Sequence, residues 1–268
     1  MSSLLRGSPA WDCHVHVFDA CAPTLRGHYV PAEAPLRDVE HLASLHGIER
    51  LVLVQPSVYG TDNAVMEAAL RASGGRHRGV AVVSADIDDA ALDRLWEAGV
   101  RGVRFNRVSP VGNDDRAFTD LAPRLRARGF HVQWYVKPSF LPHLVELQRR
   151  TGLTFVLDHL AGLHVGDPVL DAAWIALEQL ANAGAWVKLS GWYRLGAAEP
   201  YAELLPHIRR VGELLGDHLV WGSDWPHTSL PSSKGSRFSS LLEPVALALG
   251  EARLQRCLSV TPRLLYDQ

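Results

Sequence analysis

Leu51-Val52-Leu53-Val54-Gln55 is a continuous apolar run of strand length that closes on a polar residue. A strand with no polar face is one covered on both sides, as in a buried parallel sheet. Residues 63–73 follow with a helical pattern, then Gly74-Gly75, then a second β-type run, Gly79-Val80-Ala81-Val82-Val83. Strand, helix, strand in that order is the crossover that parallel pairing needs.

The same unit recurs in both directions. Upstream, Trp11-Asp12-Cys13-His14-Val15-His16-Val17-Phe18 reads as a strand, and Asp38 is placed to cap a helix that Gly47 ends. Downstream, strands are predicted at 100–106, 130–136, 153–159, 185–191 and 218–224. Helices are predicted at 90–98, 116–128, 140–150, 169–183 and 201–215, each followed by a glycine. Eight strand–helix units predict a single (β/α)8 TIM-like barrel domain over residues 1–268. The open doubly wound sheet is the alternative, but no Gly-rich phosphate loop follows the first strand. Helices at 241–249 and 252–258, and a Pro-started one at 261–266, are expected to close the chain.

Composition narrows the function classes. The chain has 27 Lys and Arg against 29 Asp and Glu, a net charge of −2, so no nucleic-acid or membrane-surface partner is expected. No apolar run is long enough for a bilayer, and residues 1–9 lack a signal-peptide core, which points to the cytoplasm. Three cysteines suggest reduced thiols. Alternation along the first strand turns Cys13 away from the histidine face, as a packed thiol.

His14 and His16 are two apart and leave a strand on one face. If the strands form a barrel, their C-terminal ends share one mouth. That places His14, His16, Gln55, Ser57, Arg104, Asn106, Gln133, Tyr135, His159, Ser190, Arg194 and Asp224 around one pocket. His14, His16, His159 and Asp224 suffice to hold one divalent ion, zinc or manganese, with a position left open. The carboxylate can also serve as a base toward water, and the arginines can meet a substrate carboxylate. Duller readings stand beside these. Arg104 can pair with a carboxylate inside the barrel, Gln133 and Tyr135 can be interior packing, Asp158 can orient His159 or a neighbouring strand, and His227 can cap a loop. The polar segment 231–237 reads as a solvated loop or as a lid.

Asp12-Cys13-His14-Val15-His16-Val17-Phe18, Gly99-Val100-Arg101-Gly102-Val103-Arg104-Phe105-Asn106, Asp158-His159 and Trp221-Gly222-Ser223-Asp224-Trp225-Pro226-His227 together resemble the amidohydrolase superfamily. They are most similar to the branch that includes 2-pyrone-4,6-dicarboxylate lactonase. The resemblance implies a distorted barrel that hydrolyses a small lactone. It implies Asp224 as the group that deprotonates water, and His14, His16 and His159 as carbonyl polarisers. Tyr29, Ser57, Arg104, Tyr135 and Arg194 fall where substrate-binding groups are expected.

The chain departs from that branch at Gly162 and near Pro110, where the dicarboxylate pattern has arginines. Fewer cations imply fewer substrate carboxylates, so the expected partner is a lactone with one carboxylate or a sugar-acid lactone. Strand four ends Arg104-Phe105-Asn106, without the lysine that bridges two ions in binuclear members, which leaves one metal or none. The alternative function is a zinc-dependent decarboxylase of an unsaturated or aromatic acid, a lyase. A non-catalytic binding barrel would not require Asp224. Oligomeric state is left open by the sequence.

Overall fold

The structure is a computed structural model that describes residues 9–26, 29–109, 116–166, 171–228, 230 and 238–268. Eight parallel strands form one sheet in chain order. They are β1 (Ala10–Val15), β2 (Ile48–Val54), β3 (Arg78–Ala81), β4 (Val100–Asn106), β5 (His131–Tyr135), β6 (Phe155–Leu157), β7 (Trp186–Leu189) and β8 (Leu219–Trp221). Helices intervene: α1 (Leu36–Ser44), α2 (Ala64–Ala72), α3 (Asp89–Glu97), α4 (Arg116–Ala127), α5 (Leu141–Thr151), α6 (Asp171–Asn182) and α7 (Leu205–Leu215). The expected (β/α)8 barrel is therefore the fold. Its two edges meet just past β8, where the Asp224 N–H donates to His14 O and the His16 N–H to Trp225 O, each at 2.8 Å.

Two shells of apolar residues hold the barrel. Outside, Leu51, Leu53, Val103 and Phe105 pack with helix residues such as Val39, Leu70 and Phe118. Inside, Trp11, Cys13, Val52, Val54, Val80, Val156 and Val220 form a second cluster with Tyr266. That tyrosine comes from α10 (Thr261–Tyr266), which follows α8 (Phe238–Leu249), α9 (Glu251–Gln255) and a π-helical turn at Arg256–Val260. Alternating β-branched residues thus fill both faces, as buried parallel strands require.

Three local expectations are corrected. Helix α1 starts at Leu36 with Pro35 at its N-cap, so Asp38 sits in the first turn and is no cap. The predicted 252–258 helix breaks after Gln255 into the π-helical turn. Cys13 does not point away from the site. The β1–β2 register slips between Asp12 and Val15, an extra residue that breaks the alternation. Cys13 therefore joins Trp11 in the interior cluster while His14 and His16 still converge above it.

His131 gives the fold an acid sensitivity. It is buried on β5 with its ring edge-on to Tyr266, and burial, with Lys188 adding to it, lowers its pKa to about 3. In the unfolded chain it titrates near 6.5. The unfolded state binds the extra proton between those values, so this contribution is full above pH 6.5 and is lost as pH falls toward 3. The expected loss is about 5 kcal/mol across that window. Urea unfolding at pH 7 and pH 4 should show a shallower pH dependence in His131→Leu than in the parent. No helix among the described residues is long and apolar enough to cross a membrane.

Candidate active site

The site forms where the strands stop. β6 ends at Leu157, and His159, Leu160, Ala161 and Gly162 all take positive φ. This turns the chain sharply and swings His159 over the barrel mouth. Asp224, three residues past β8, also has positive φ, 62°. A non-glycine residue held there stores strain, and such strain collects at functional sites.

Asp224 is fully buried and lies at the centre. Its Oδ1 is 3.3 Å from His16 Nε2 and 3.6 Å from His14 Nε2. Its Oδ2 accepts from Tyr193 OH and Arg194 Nε, each at 2.5 Å. Burial alone would raise the Asp224 pKa, but the Arg194 guanidinium beside it holds it well below the usual carboxylate range. Burial, with Asp224 beside it, pushes the Tyr193 phenol well above its ordinary value, so it keeps its proton and donates.

A second carboxylate, Asp158, lies behind His14. Its Oδ1 is 3.3 Å from His14 Nδ1. Its Oδ2 accepts from Arg104 Nε at 3.0 Å and Gln133 Nε2 at 3.1 Å. Burial opposes its charge, yet His14 and Arg104 keep its pKa well below normal. The reading of Arg104 as the partner of an interior carboxylate therefore holds, and Asp158 serves Arg104 and His14 rather than orienting His159. His159 instead meets Ser190 Oγ through Nδ1 at 3.0 Å. Burial lowers the His159 pKa to about 4 and puts that of His14 well below normal, which favours neutral rings near pH 7.

The ring tautomers decide what these histidines can do. His16 Nδ1 lies 2.8 Å from Val54 O, which accepts but cannot donate, so Nδ1 carries the proton and Nε2 a lone pair. His14 Nδ1 makes no hydrogen bond, but the Asp158 carboxylate 3.3 Å away likewise favours the proton on that nitrogen. Both bare Nε2 atoms turn toward Asp224 Oδ1. His14 Nε2 and Asp224 Oδ1 are buried without a hydrogen-bond partner. His14, His16 and Asp224 therefore offer three ligand atoms, all within 4.8 Å of one another. Orphaned acceptors backed by a carboxylate and a carbonyl fit one divalent cation. His159 is not in that trio; it belongs to an overlapping one with His14 and Asp158.

Above this floor lies a cavity of about 220 Å³. His16 and His159 line it, and so do all five expected substrate-binding residues, Tyr29, Ser57, Arg104, Tyr135 and Arg194. Asn106, Ser109 and Thr228 complete its polar wall. Burial pushes the Tyr29 pKa up to about 12, so it presents a hydroxyl. Of the other residues expected to converge, Gln55 turns its amide to the Gly60 and Asp62 carbonyls, and Gln133 is spent on Asp158. His227 packs edge-on against Tyr193. Pro110 and the 231–237 loop lie outside the described residues.

Sequence reasoning missed Tyr193 as a partner of Asp224. Its place directly before Arg194 in the turn after β7 was the available signal. It also gave no role to Asp12, the first residue of the quoted His-X-His motif, or to Lys188, which lies on a strand among apolar residues and carries no motif.

Gly162 stands where the resemblance led one to look for a cation. Its φ is +74°, and a Cβ there would lie 2.4 Å from Val136 O. Gly191 is similarly confined: its Cβ would meet His159 Nδ1 at 2.4 Å. Gly162→Arg is expected to lose at least about 1–2 kcal/mol of stability from the left-handed backbone alone, and more from the clash. Thermal unfolding checks this, and no gain of affinity for a doubly charged lactone is expected to accompany it.

Residues 11–268 match the amidohydrolase family. The 2-pyrone-4,6-dicarboxylate hydrolase of Comamonas testosteroni is 35% identical over 82% of this chain and 78% of its own length. The 4-sulfomuconolactone hydrolase of Rhizobium radiobacter is 32% identical over 82% of this chain and 76% of its own. A crystal structure from Pseudomonas putida, named a candidate 2-pyrone-4,6-dicarboxylic acid hydrolase, superposes with a TM-score of 0.86 at 31% identity, covering 97% of this chain and 98% of that one.

Proposed function

This chain belongs to the amidohydrolase family and is an enzyme, and we propose that it is a lactonase opening a small lactone that carries a single carboxylate, of the sugar-acid kind. The observation that carries this reading is the cavity wall. Among its described residues the cations are Arg104 and Arg194, and each already faces a buried carboxylate, Asp158 and Asp224. Apart from the His16 and His159 rings, the rest of the polar wall is hydroxyls and one amide, which suits a ring bearing hydroxyl groups. Two half-neutralised guanidiniums suit one substrate anion better than two.

In this reading a water molecule attacks the ring carbonyl. Asp224 Oδ1 takes its proton, since Oδ2 is occupied by Tyr193 and Arg194. His159 polarises the carbonyl: with Ser190 Oγ donating to its Nδ1, its Nε2–H points to the developing oxyanion. The bare Nε2 of His16, which lines the cavity, accepts the water's other proton and orients it. Collapse of the tetrahedral adduct breaks the carbonyl–ring-oxygen bond, and Asp224 returns the proton to that oxygen. A divalent ion held by His14, His16 and Asp224 would add Lewis-acid polarisation of the carbonyl. Tyr29, Ser57, Tyr135 and the two arginines would seat the substrate.

The test is a panel of singly charged lactones, aldonolactones and a doubly charged pyrone, with elemental analysis and activity before and after chelation. Ring opening with kcat/KM at least about tenfold higher for the singly charged lactones is expected. No opening of any lactone removes the proposal. Release of carbon dioxide in place of ring opening moves the chain to the decarboxylase reading.

A further inference from the structure

Lys188 is fully buried in the middle of β7, and no step of the proposed reaction uses it. Its Nζ donates to Cys13 O at 2.7 Å, reaching past β8 to β1 and linking residues 175 apart in sequence. That carbonyl belongs to the Cys13–His14 peptide, inside the β1 bulge where the β1–β2 ladder slips. Asp12 holds the other side of the same bulge. Its Oδ1 accepts from His14 N at 3.1 Å and from Ser223 N at 2.9 Å. The next peptide is fixed by the Asp224 N–H to His14 O bond. Two ionisable side chains are thus buried on either side of one irregular peptide. Such burial is costly unless the groups are satisfied, and the peptide they hold carries His14.

We propose that Lys188 is a positioning residue: its ammonium pins the Cys13–His14 peptide of the β1 bulge and thereby aims the His14 ring at Asp224. Without the bulge, strict alternation would send Cys13 and His14 to opposite faces; with it, Cys13 packs inside and His14 still reaches the mouth. Lys188 remains protonated near neutrality, although burial lowers its pKa to about 8, with Asp158 opposing that fall. The Tyr266 ring, 5.8 Å from Nζ, covers it from the floor of the barrel. An ammonium is suited to this task because it is a strong donor at the end of a chain long enough to cross the interior.

The inference rests on the lactonase reading only for its kinetic arm. The experiment is Lys188→Met, which keeps the bulk and removes the donor. Readouts are kcat and KM on the lactone opened by the parent, melting temperature, and the ¹⁵N resonances of His14, with His218 as the control. We expect a folded protein with kcat reduced about a hundredfold, since small misplacements of a reacting group cost that much. KM should stay within about threefold, because the residues proposed to seat the ring are untouched. The His14 signals should shift or broaden while those of His218 stay. His14 signals identical to the parent overturn the proposal whatever happens to kcat. So does a displaced His14 with undiminished kcat. If Lys188→Met does not fold, Lys188→Gln, a polar chain one bond shorter, is read by the same criteria. Loss of fold in both variants makes Lys188 a stability residue and also overturns it. Should the parent open no lactone, the His14 resonances still decide the positioning claim on their own.

Discussion

Asp224→Asn is expected to lower kcat for lactone opening about a thousandfold while KM changes little. Removing a general base typically costs about 10²–10⁴ in rate. The substitution is nearly isosteric, and an amide oxygen still accepts hydrogen bonds, but it cannot take a proton from water. Tyr193 can still donate to the new side chain. Arg194, 2.5 Å from the carboxylate, loses its counter-charge, so a lower melting temperature should accompany the loss of rate. Steady-state kinetics beside circular dichroism separate the two effects. If the protein binds an ion through His14, His16 and Asp224, elemental analysis of the variant should also show less of it. Full activity in this variant sinks the assignment of Asp224 as the base.

The second large effect is on stability. Asp158→Ala is expected to lower the unfolding free energy by about 3–5 kcal/mol, the usual cost of leaving one member of a buried ion pair alone. Arg104 is 3% exposed, and its Nε and Nη2 both meet Asp158 Oδ2 at 3.0 Å. Gln133 loses its acceptor and His14 its backing carboxylate in the same step. Domains of ordinary stability have only about 5–15 kcal/mol to lose, so urea unfolding should show a large fall in midpoint. The double variant Arg104→Met/Asp158→Leu separates charge from packing. With no uncompensated ion, it should be more stable than Asp158→Ala, yet inactive because His14 and the cavity wall have both changed. A double variant less stable than the single one would mean that the pair itself, not an orphaned charge, carries the stability.

Much of the site was legible because the barrel converts a one-dimensional regularity into a location. Several strands end in polar residues at the C-terminal edge, and the closed barrel gathers those edges into one mouth. His14, His16, His159 and Asp224 could therefore be brought together before any coordinates existed, and so could Ser57, Arg104, Tyr135 and Arg194; Tyr29 was expected only from the family resemblance. Local rules failed where the backbone stops being regular. The bulge in β1 broke the alternation that assigned Cys13 to the wrong side. The left-handed run from His159 to Gly162 follows from no periodicity.

What the amino-acid sequence determined by itself was the eightfold order of strands and helices and the residue types at the strand ends. Those depend on hydrophobic period and turn chemistry, which act over a few residues. Only the tertiary structure decided the pairings: Asp158 with Arg104 and His14, Tyr193 and Arg194 on one oxygen of Asp224, and Lys188 and Asp12 on either side of the bulge. These contacts join residues as far as 211 apart in the chain. They exist only once the sheet closes and buries them together. A buried charge must find whichever partner closure puts within reach, and no local pattern records that choice.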